Sequence, residues 1–127
     1  KKFIKKRKFI ANIYNNSFNK NNNFIIPFND KYSDHSFHIY PLQIKFENLK
    51  IDKKTFFKKL KKKKINLQVH YIPIHLQRFY RKKFGYKPGD FPVSEKFYKR
   101  EVSLPIYYQL KKKKIKFIVD QINLISK

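Results

Sequence analysis

Two segments with the pattern of β-strands follow each other along this chain with no helix between them. Residues 24–27 indicate a short strand that stops at a proline. Residues 36–46 come close to alternating apolar and polar side chains, with Pro41 marking a bulge or an edge. Because consecutive parallel strands need a crossover between them, usually a helix, a purely parallel, doubly wound sheet is disfavoured. We therefore expect an α+β fold in which helices cover a small sheet.

Helical patterns surround these two strands. Residues 3–18 carry apolar side chains at three- and four-residue steps, and Asp52 is suited to be the N-cap of a helix that reaches residue 64. A third strand is predicted over residues 66–71, helices over 77–84 and 92–101, and an extended segment at 103–104. The last helix is predicted from apolar residues that share one face: Ile115, Ile118, Val119, Ile122 and Ile125.

The charge of the chain leaves two interpretations open. With 127 residues, of which 41% are hydrophobic, it is long enough for one packed domain, and its net charge is +24. Such a charge is typical of proteins that bind nucleic acid or anionic lipid. However, 28 of the 32 basic residues are Lys and Gly is scarce, which is the composition expected from drift in an A+T-rich genome. A solvated lysine surface is the favoured interpretation, and a nucleic-acid-binding module is the alternative.

Several classes of site are disfavoured by composition. The chain has no Cys, which excludes disulfides, a thiolate nucleophile and Cys-ligated zinc, and is compatible with a reducing cytoplasm. No apolar run is long enough for a membrane span or a signal peptide, so we expect a soluble protein. The eight acidic residues are scattered, and no local context singles out a catalytic lysine. We therefore assign no catalytic residue and no metal site, and the lack of Met suggests a fragment.

Two of the four histidines, His70 and His75, flank a short segment that follows the predicted third strand. Pro73 lies between them and prevents the regular helix that would place both on one face for a metal ion. Two roles remain: structural hydrogen bonding, or contact with a substrate or cofactor. Since Pro73 also favours an irregular loop, we expect His70, Tyr71 and His75 to lie together on an exposed rim.

The residues around this segment resemble a known family. Residues 68–77, QVHYIPIHLQ, are followed by Phe79-Tyr80-Arg81, by FGYKPGDFP at residues 84–92 and by Ser103-Leu104-Pro105. Together they closely resemble the DegT/DnrJ family of sugar aminotransferases, especially members on the route to pseudaminic acid. Residues 35–41 and 52–65 are similar to a strand and a helix of that family. The resemblance covers nearly the whole chain but only the last third or so of a family member.

This resemblance implies that the chain is the C-terminal small domain of an enzyme that depends on pyridoxal phosphate. The catalytic lysine and most cofactor contacts would belong to a large domain, so we expect the chain alone to be inactive. The implied substrates are glutamate and a UDP-linked 4-keto-6-deoxy-N-acetylhexose, and the implied assembly is a homodimer. The residues implied to face the substrate are His70, Tyr71, His75 and Tyr80. We also expect the helical stripe of Phe3, Ile10, Tyr14 and Phe18 to be only partly buried, because it would pack against the large domain.

Overall fold

The computed structural model describes residues 1–127, which form five α-helices and three β-strands. Two short 3-10 turns, Phe46–Asn48 and Ile74–Leu76, connect some of them. In chain order the elements are α1 (Lys2–Phe18), β1 (Phe24–Ile25), β2 (Tyr40–Ile44), α2 (Lys53–Lys62), α3 (Arg78–Phe84), α4 (Pro92–Arg100), β3 (Glu101–Leu104) and α5 (Lys112–Ile125).

The three strands form one antiparallel sheet in the order β1-β2-β3. Phe24 pairs with Ile44, and Leu42 pairs with Val102. The predicted α+β fold, with helices around a small sheet, is thus confirmed. The predicted helices agree closely with the observed ones, including the N-cap of α2, where the carboxylate of Asp52 accepts a hydrogen bond from the backbone N–H of Thr55 at 2.7 Å.

The third strand does not lie where the alternation predicted it. Residues 66–71 form no strand and contribute one isolated bridge between Gln68 and Ser103, whereas β3 follows α4. The physical reason is visible at His70, whose backbone N–H donates to the side chain of Glu101 instead of to a backbone carbonyl. The chain therefore leaves the sheet edge after a single pairing.

Pro41 was expected at a bulge or an edge, and the edge is found locally. Pro41 lies in β2 opposite Ser103 of β3, but β1 pairs only with Gln43 and Ile44, so β2 has no paired strand on its other side at this position. Ser103 exchanges its two backbone hydrogen bonds with Gln68, on its other side. Pro41 therefore does not need to donate a backbone hydrogen bond to β3, and a residue without an N–H is tolerated at this position.

The core lies between the sheet and the helices α1, α2 and α5. It consists of 19 buried hydrophobic residues, among them Tyr40, Leu42 and Ile44 of the central strand. The hydroxyl of the buried Tyr14 donates to the carbonyl of Pro105 at 2.8 Å, and that of Tyr40 donates to Asn15 at 2.6 Å. Burial raises the pKa of both tyrosines, so they stay neutral donors at every ordinary pH.

The stripe of α1 is buried to a greater extent than expected. Ile10, Tyr14 and Phe18 are completely buried within this chain, so the prediction of partial burial is wrong for them. It is right for Phe3, which is 60% exposed and whose ring centroid lies 4.6 Å from that of Tyr108. The first turns of α1 therefore leave an apolar patch uncovered, while the rest of the helix belongs to the core.

None of the helices combines the length and the apolar character that a membrane span needs.

Candidate functional site

The segment that carries the family-like residues lines a surface cavity of about 490 Å³. One wall is the backbone and side chains of residues 70–75, and the other comes from the turn before α4 and from α4 itself. Pro92, in the first turn of α4, fixes the start of that helix and hence the position of this second wall. The ten lining residues are His70, Tyr71, Ile72, Pro73, Ile74, His75, Tyr86, Phe91, Ser94 and Phe97.

Tyr71 is an exposed polar residue of this cavity, with 73% of its surface accessible. Its ring meets the ring of His70 edge to face, with the centroids 4.6 Å apart. Tyr71 is therefore exposed on the rim of the domain, as the sequence predicted. Pro73, two residues later in the segment, is buried.

His70 is half-buried and is held by polar contacts from β3. Its Nδ1 lies 2.7 Å from Oγ of Ser103, and its backbone N–H donates to Oε2 of Glu101 at 3.0 Å. Nε2 makes no hydrogen bond within the chain. His70 also lines a second, neighbouring cavity of about 270 Å³ between residues 66–70, the end of β3 and the loop that follows it. One nitrogen of the ring is thus fixed by the protein, and the other is available to a ligand.

His75 does not lie on an exposed rim, and this part of the prediction is wrong. Only 6% of its surface is exposed, and its Nε2 lies 2.9 Å from Oε1 of Glu95. The same oxygen accepts a hydrogen bond from the backbone N–H of Gly89 at 2.7 Å. These hydrogen bonds, that from His75 first, hold the pKa of Glu95 below its usual range. The physical reason for burial is the 3-10 turn Ile74–Leu76, which directs His75 inward against Phe91.

Tyr80 is not part of the cavity. It lies on α3, half-buried, in a row of aromatic rings that runs from Phe79 through Tyr80 and Phe84 to Tyr86. Of this row only Tyr86 lines the cavity. The structure therefore brings His70, Tyr71 and His75 together and leaves Tyr80 apart from them.

Helix α3 carries a second feature, a basic cleft of about 480 Å³. Two of the four arginines of the chain, Arg78 and Arg81, line it together with Lys82 and Lys87. On the adjoining surface Phe79 and Phe84 are exposed, and Nζ of Lys83 lies 5.5 Å from the centroid of each ring. Cations interleaved with exposed aromatic rings are typical of surfaces that bind single-stranded nucleic acid.

The residues of this chain do not fit a complete site for pyridoxal phosphate. None of the ten residues around the larger cavity is a lysine or a carboxylate, so neither the covalent anchor nor the partner of the pyridinium nitrogen is present there. Burial lowers the pKa of one lysine, Lys53, against the attraction of Glu101. However, Lys53 is engaged with the carbonyl of Tyr98 at 2.6 Å and lines neither cavity.

Sequence reasoning missed Glu101, Ser103 and Glu95, the residues that hold the two histidines. In the sequence, Glu95 and Glu101 stand among the scattered acidic residues, and Ser103 lies in the predicted extended segment. The spacing of Glu101 and Ser103 was a usable signal, because residues two apart in a strand point to the same side. No signal in the sequence connects Glu95 to His75, since their contact depends on how α4 packs.

Comparisons with known proteins agree with this picture. The profile of the DegT/DnrJ/EryC1/StrS aminotransferase family matches residues 1–123. An uncharacterized protein of Methanocaldococcus jannaschii is 45% identical over 123 residues, which are 97% of this chain and 31% of that protein. The UDP-4-amino-4,6-dideoxy-N-acetyl-beta-L-altrosamine transaminase of Campylobacter jejuni is 33% identical over 117 residues, which are 92% of this chain and 30% of that enzyme.

A solved structure extends the likeness to the fold. PseC of Helicobacter pylori, an aminotransferase involved in the biosynthesis of pseudoaminic acid, superimposes with a TM-score of 0.83 at 29% identity. The match covers 98% of this chain and 33% of PseC, so the chain spans about a third of the length of the proteins it matches. The family match over nearly the entire sequence, together with this common fold, shows that the chain belongs to the DegT/DnrJ/EryC1/StrS aminotransferase family.

Proposed function

We propose that this chain is the C-terminal small domain of a sugar aminotransferase that depends on pyridoxal phosphate. The parent enzyme would transfer an amino group from glutamate to the 4-keto carbon of a UDP-linked 6-deoxy-N-acetylhexose, on a route of the pseudaminic acid type. Membership of the family supports the reaction class, and the likeness to the C. jejuni transaminase and to PseC supports the substrate. The enzyme would be a homodimer in the cytoplasm.

One observation supports a substrate-binding role for this domain. The segment with the family-like residues forms the wall of an open cavity, in which Tyr71 is exposed and Nε2 of His70 makes no hydrogen bond. Apolar side chains surround these two polar groups. Such a mixture of apolar walls and a few fixed polar groups is typical of small-molecule sites. Tyr71 would pack against a ring of the nucleotide sugar and hydrogen-bond to it, and His70 would fix its orientation.

His75 and Tyr80 have weaker roles in this proposal. His75 would shape the cavity from behind, because it touches the lining but is bound to Glu95. Tyr80 would reach a ligand only outside the cavity. Pyridoxal phosphate, which supplies an electron sink to the reaction, would be held by residues beyond these 127. Titration of the isolated chain with the cofactor should therefore give no saturable change in its absorption spectrum.

The site is tested by titrating the ¹⁵N-labelled chain with the UDP-linked 4-keto sugar. We expect saturable shifts centred on His70 and Tyr71, and a Kd that rises at least about tenfold in Tyr71→Ala, which corresponds to about 1.4 kcal/mol. Tyr32→Ala is the matched control, since Tyr32 is also largely exposed but lies away from the cavity. Equal effects of the two substitutions, or shifts confined to other surfaces, would contradict the proposed site.

Nucleic-acid binding is the second candidate function, and the basic cleft of α3 with Phe79 and Phe84 favours it. A salt series with duplex and single-stranded DNA separates the two candidates. A true binder loses affinity steeply with salt, because each neutralised phosphate releases counterions. We expect weak binding without preference for sequence, and a tight complex that is weakened by Arg81→Ala would instead favour this second function.

A further inference from the structure

A closed ring of polar groups lies behind His70, on the side away from solvent. Oγ of Ser103 donates to Oε1 of Glu101 at 2.5 Å, and Nδ1 of His70 lies 2.7 Å from the same Oγ. The ring is closed by the backbone N–H of His70, which donates to Oε2 of Glu101 at 3.0 Å. Glu101 is completely buried and Ser103 is 5% exposed. Buried groups joined by such short contacts have few alternative partners.

The protons of this ring can be counted. An ionised carboxylate only accepts hydrogen bonds, and Glu101 receives one at each oxygen. A serine hydroxyl has a single proton, and Ser103 gives it to Glu101. Ser103 must therefore accept from His70, so the proton of a neutral imidazole ring lies on Nδ1.

From this count we infer that Glu101 and Ser103 are positioning residues that hold His70 in the Nδ1–H tautomer and leave Nε2 as a hydrogen-bond acceptor in the cavity. The nitrogen that carries the proton is set by the hydrogen bond that the other nitrogen makes. In water, a histidine side chain has no fixed hydrogen-bond partner, so its proton can lie on either nitrogen. The carboxylate of Glu101 thus sets the tautomer of His70 through Ser103, without a hydrogen bond to the imidazole ring.

The Nδ1–H tautomer restricts the type of ligand group that can hydrogen-bond to His70. This statement about the ligand rests on the proposed function. A neutral His70 would accept a hydrogen bond from a hydroxyl or an amide N–H of the nucleotide sugar. It would not donate to a carbonyl or phosphate oxygen, because its one proton is committed to Ser103. The group next to His70 would therefore be a donor, such as a sugar hydroxyl.

The test is the tautomer itself, measured by long-range ¹H–¹⁵N correlation spectra of the ¹⁵N-labelled chain at a pH where His70 is neutral. No substrate or cofactor is needed. We expect Nδ1 of His70 to resonate in the range of a protonated nitrogen and Nε2 in the range of an unprotonated one. The opposite pattern in the unmodified chain would overturn the inference.

Glu101→Gln gives a sharper result, because it should invert the tautomer. The backbone N–H of His70 needs an acceptor, so the amide oxygen of Gln would take the place of Oε2 and its NH₂ would face Ser103. Ser103 would then accept from Gln and donate to Nδ1 of His70, which moves the ring proton to Nε2. An unchanged tautomer in this variant would show that Glu101 does not set it.

Two further variants complete the design. Ser103→Ala should lose the preference and give the tautomer mixture of an unconstrained histidine, and Ser103→Thr, which keeps the hydroxyl, should restore it. Ser94→Ala is the control, since Ser94 lines the cavity but makes no hydrogen bond to His70. A Ser103→Ala variant with the original tautomer would contradict the inference. Failure of the sugar to bind would contradict only the proposed function, because the tautomer is measured without it.

Discussion

The two parts of this domain are held together by different forces. Residues 66–101, here called the rim segment, contain the predicted site and the first residue of β3. The remaining residues, here called the packed part, contain the rest of the sheet and the helices α1, α2 and α5. All 19 residues of the hydrophobic core belong to the packed part. The buried side chains of the rim segment include His75, Glu95 and Glu101, which are polar. The packed part is therefore stabilised by apolar burial, and the rim segment by a few directed hydrogen bonds.

Stability and recognition are thus assigned to different parts of this fold. Apolar packing is strong but has no direction, so it provides a rigid frame. Hydrogen bonds depend on angle and distance, so they set how His70 and His75 are oriented on that frame. Loops that are positioned by a rigid scaffold commonly carry binding residues. Damage to the two parts should accordingly have different consequences.

The largest loss of stability is expected in the packed part. Leu42→Ala removes a completely buried side chain of the central strand and should lower the free energy of unfolding by about 2–5 kcal/mol. Leu124→Ala is the matched control: its side chain is 61% exposed on α5, so a change within about 0.5 kcal/mol is expected. Urea unfolding of both variants measures the difference. Similar losses in the two would contradict the assignment of the core to the sheet.

A smaller loss that depends on pH is expected in Glu95→Gln. Because the folded state holds the pKa of Glu95 below its ordinary value of 4.5, ionisation of this carboxylate stabilises the fold above pH 4.5. That contribution is lost as the pH falls below 4.5 through the lowered pKa. The wild type should thus exceed the variant in stability at neutral pH, and the gap should close in acid.

Thermal unfolding between pH 3 and pH 7 measures this difference in stability between the wild type and Glu95→Gln. Asp120→Asn serves as its control, since Asp120 forms only an exposed pair with Lys116 and should contribute little. A gap that stays constant down to pH 3 would mean that the ionised carboxylate of Glu95 does not hold the rim segment.

A loss of about 1–2 kcal/mol is expected in Gly85→Ala, which concerns the backbone alone. Gly85 ends α3 in the left-handed conformation at φ +73°, and a Cβ added there would meet no atom within 4 Å. The cost therefore comes only from the left-handed backbone. Gly85→Asn should cost less, since Asn tolerates this conformation better. Chemical unfolding compares the two, and equal losses would point to packing instead.

The smallest effect on stability is expected in Tyr71→Ala, although it should weaken ligand binding most. Tyr71 is exposed and makes no hydrogen bond in the fold, so the free energy of unfolding should change by no more than about 0.5 kcal/mol. Differential scanning calorimetry of this variant checks the value. A loss as large as that of a core substitution would assign Tyr71 to structure and remove it from the proposed site.

Most elements of the fold could be predicted from periodicity and capping. The stripe of α1, the N-cap at Asp52 and Pro92 at the start of α4 are local signals, and each gave a helix within a few residues of the observed one. Alternation misplaced the third strand, since a pattern of side chains does not reveal whether a neighbouring strand is available to pair. Within residues 66–71, the backbone N–H of His70 donates to the side chain of Glu101 and not to the backbone of a neighbouring strand.

The candidate site could be predicted only in outline. The sequence predicts a site at residues 70–75, and its prediction that Tyr71 is exposed is confirmed, because Pro73 favours an irregular segment. The prediction that His75 is exposed is wrong, because the 3-10 turn places its ring against Glu95 and Phe91. Sequence reasoning also missed the contacts of Ser103 and Glu101 with His70, since these residues are more than 30 positions away in the chain.

Local sequence signals were therefore enough to predict the helices, the α+β class and the segment that resembles the family. Tertiary packing was needed to establish which strand completes the sheet, which histidine is buried and which nitrogen of His70 makes no hydrogen bond. The reason is that burial and hydrogen bonding depend on distances in space, and those distances are set only when separate elements pack against one another.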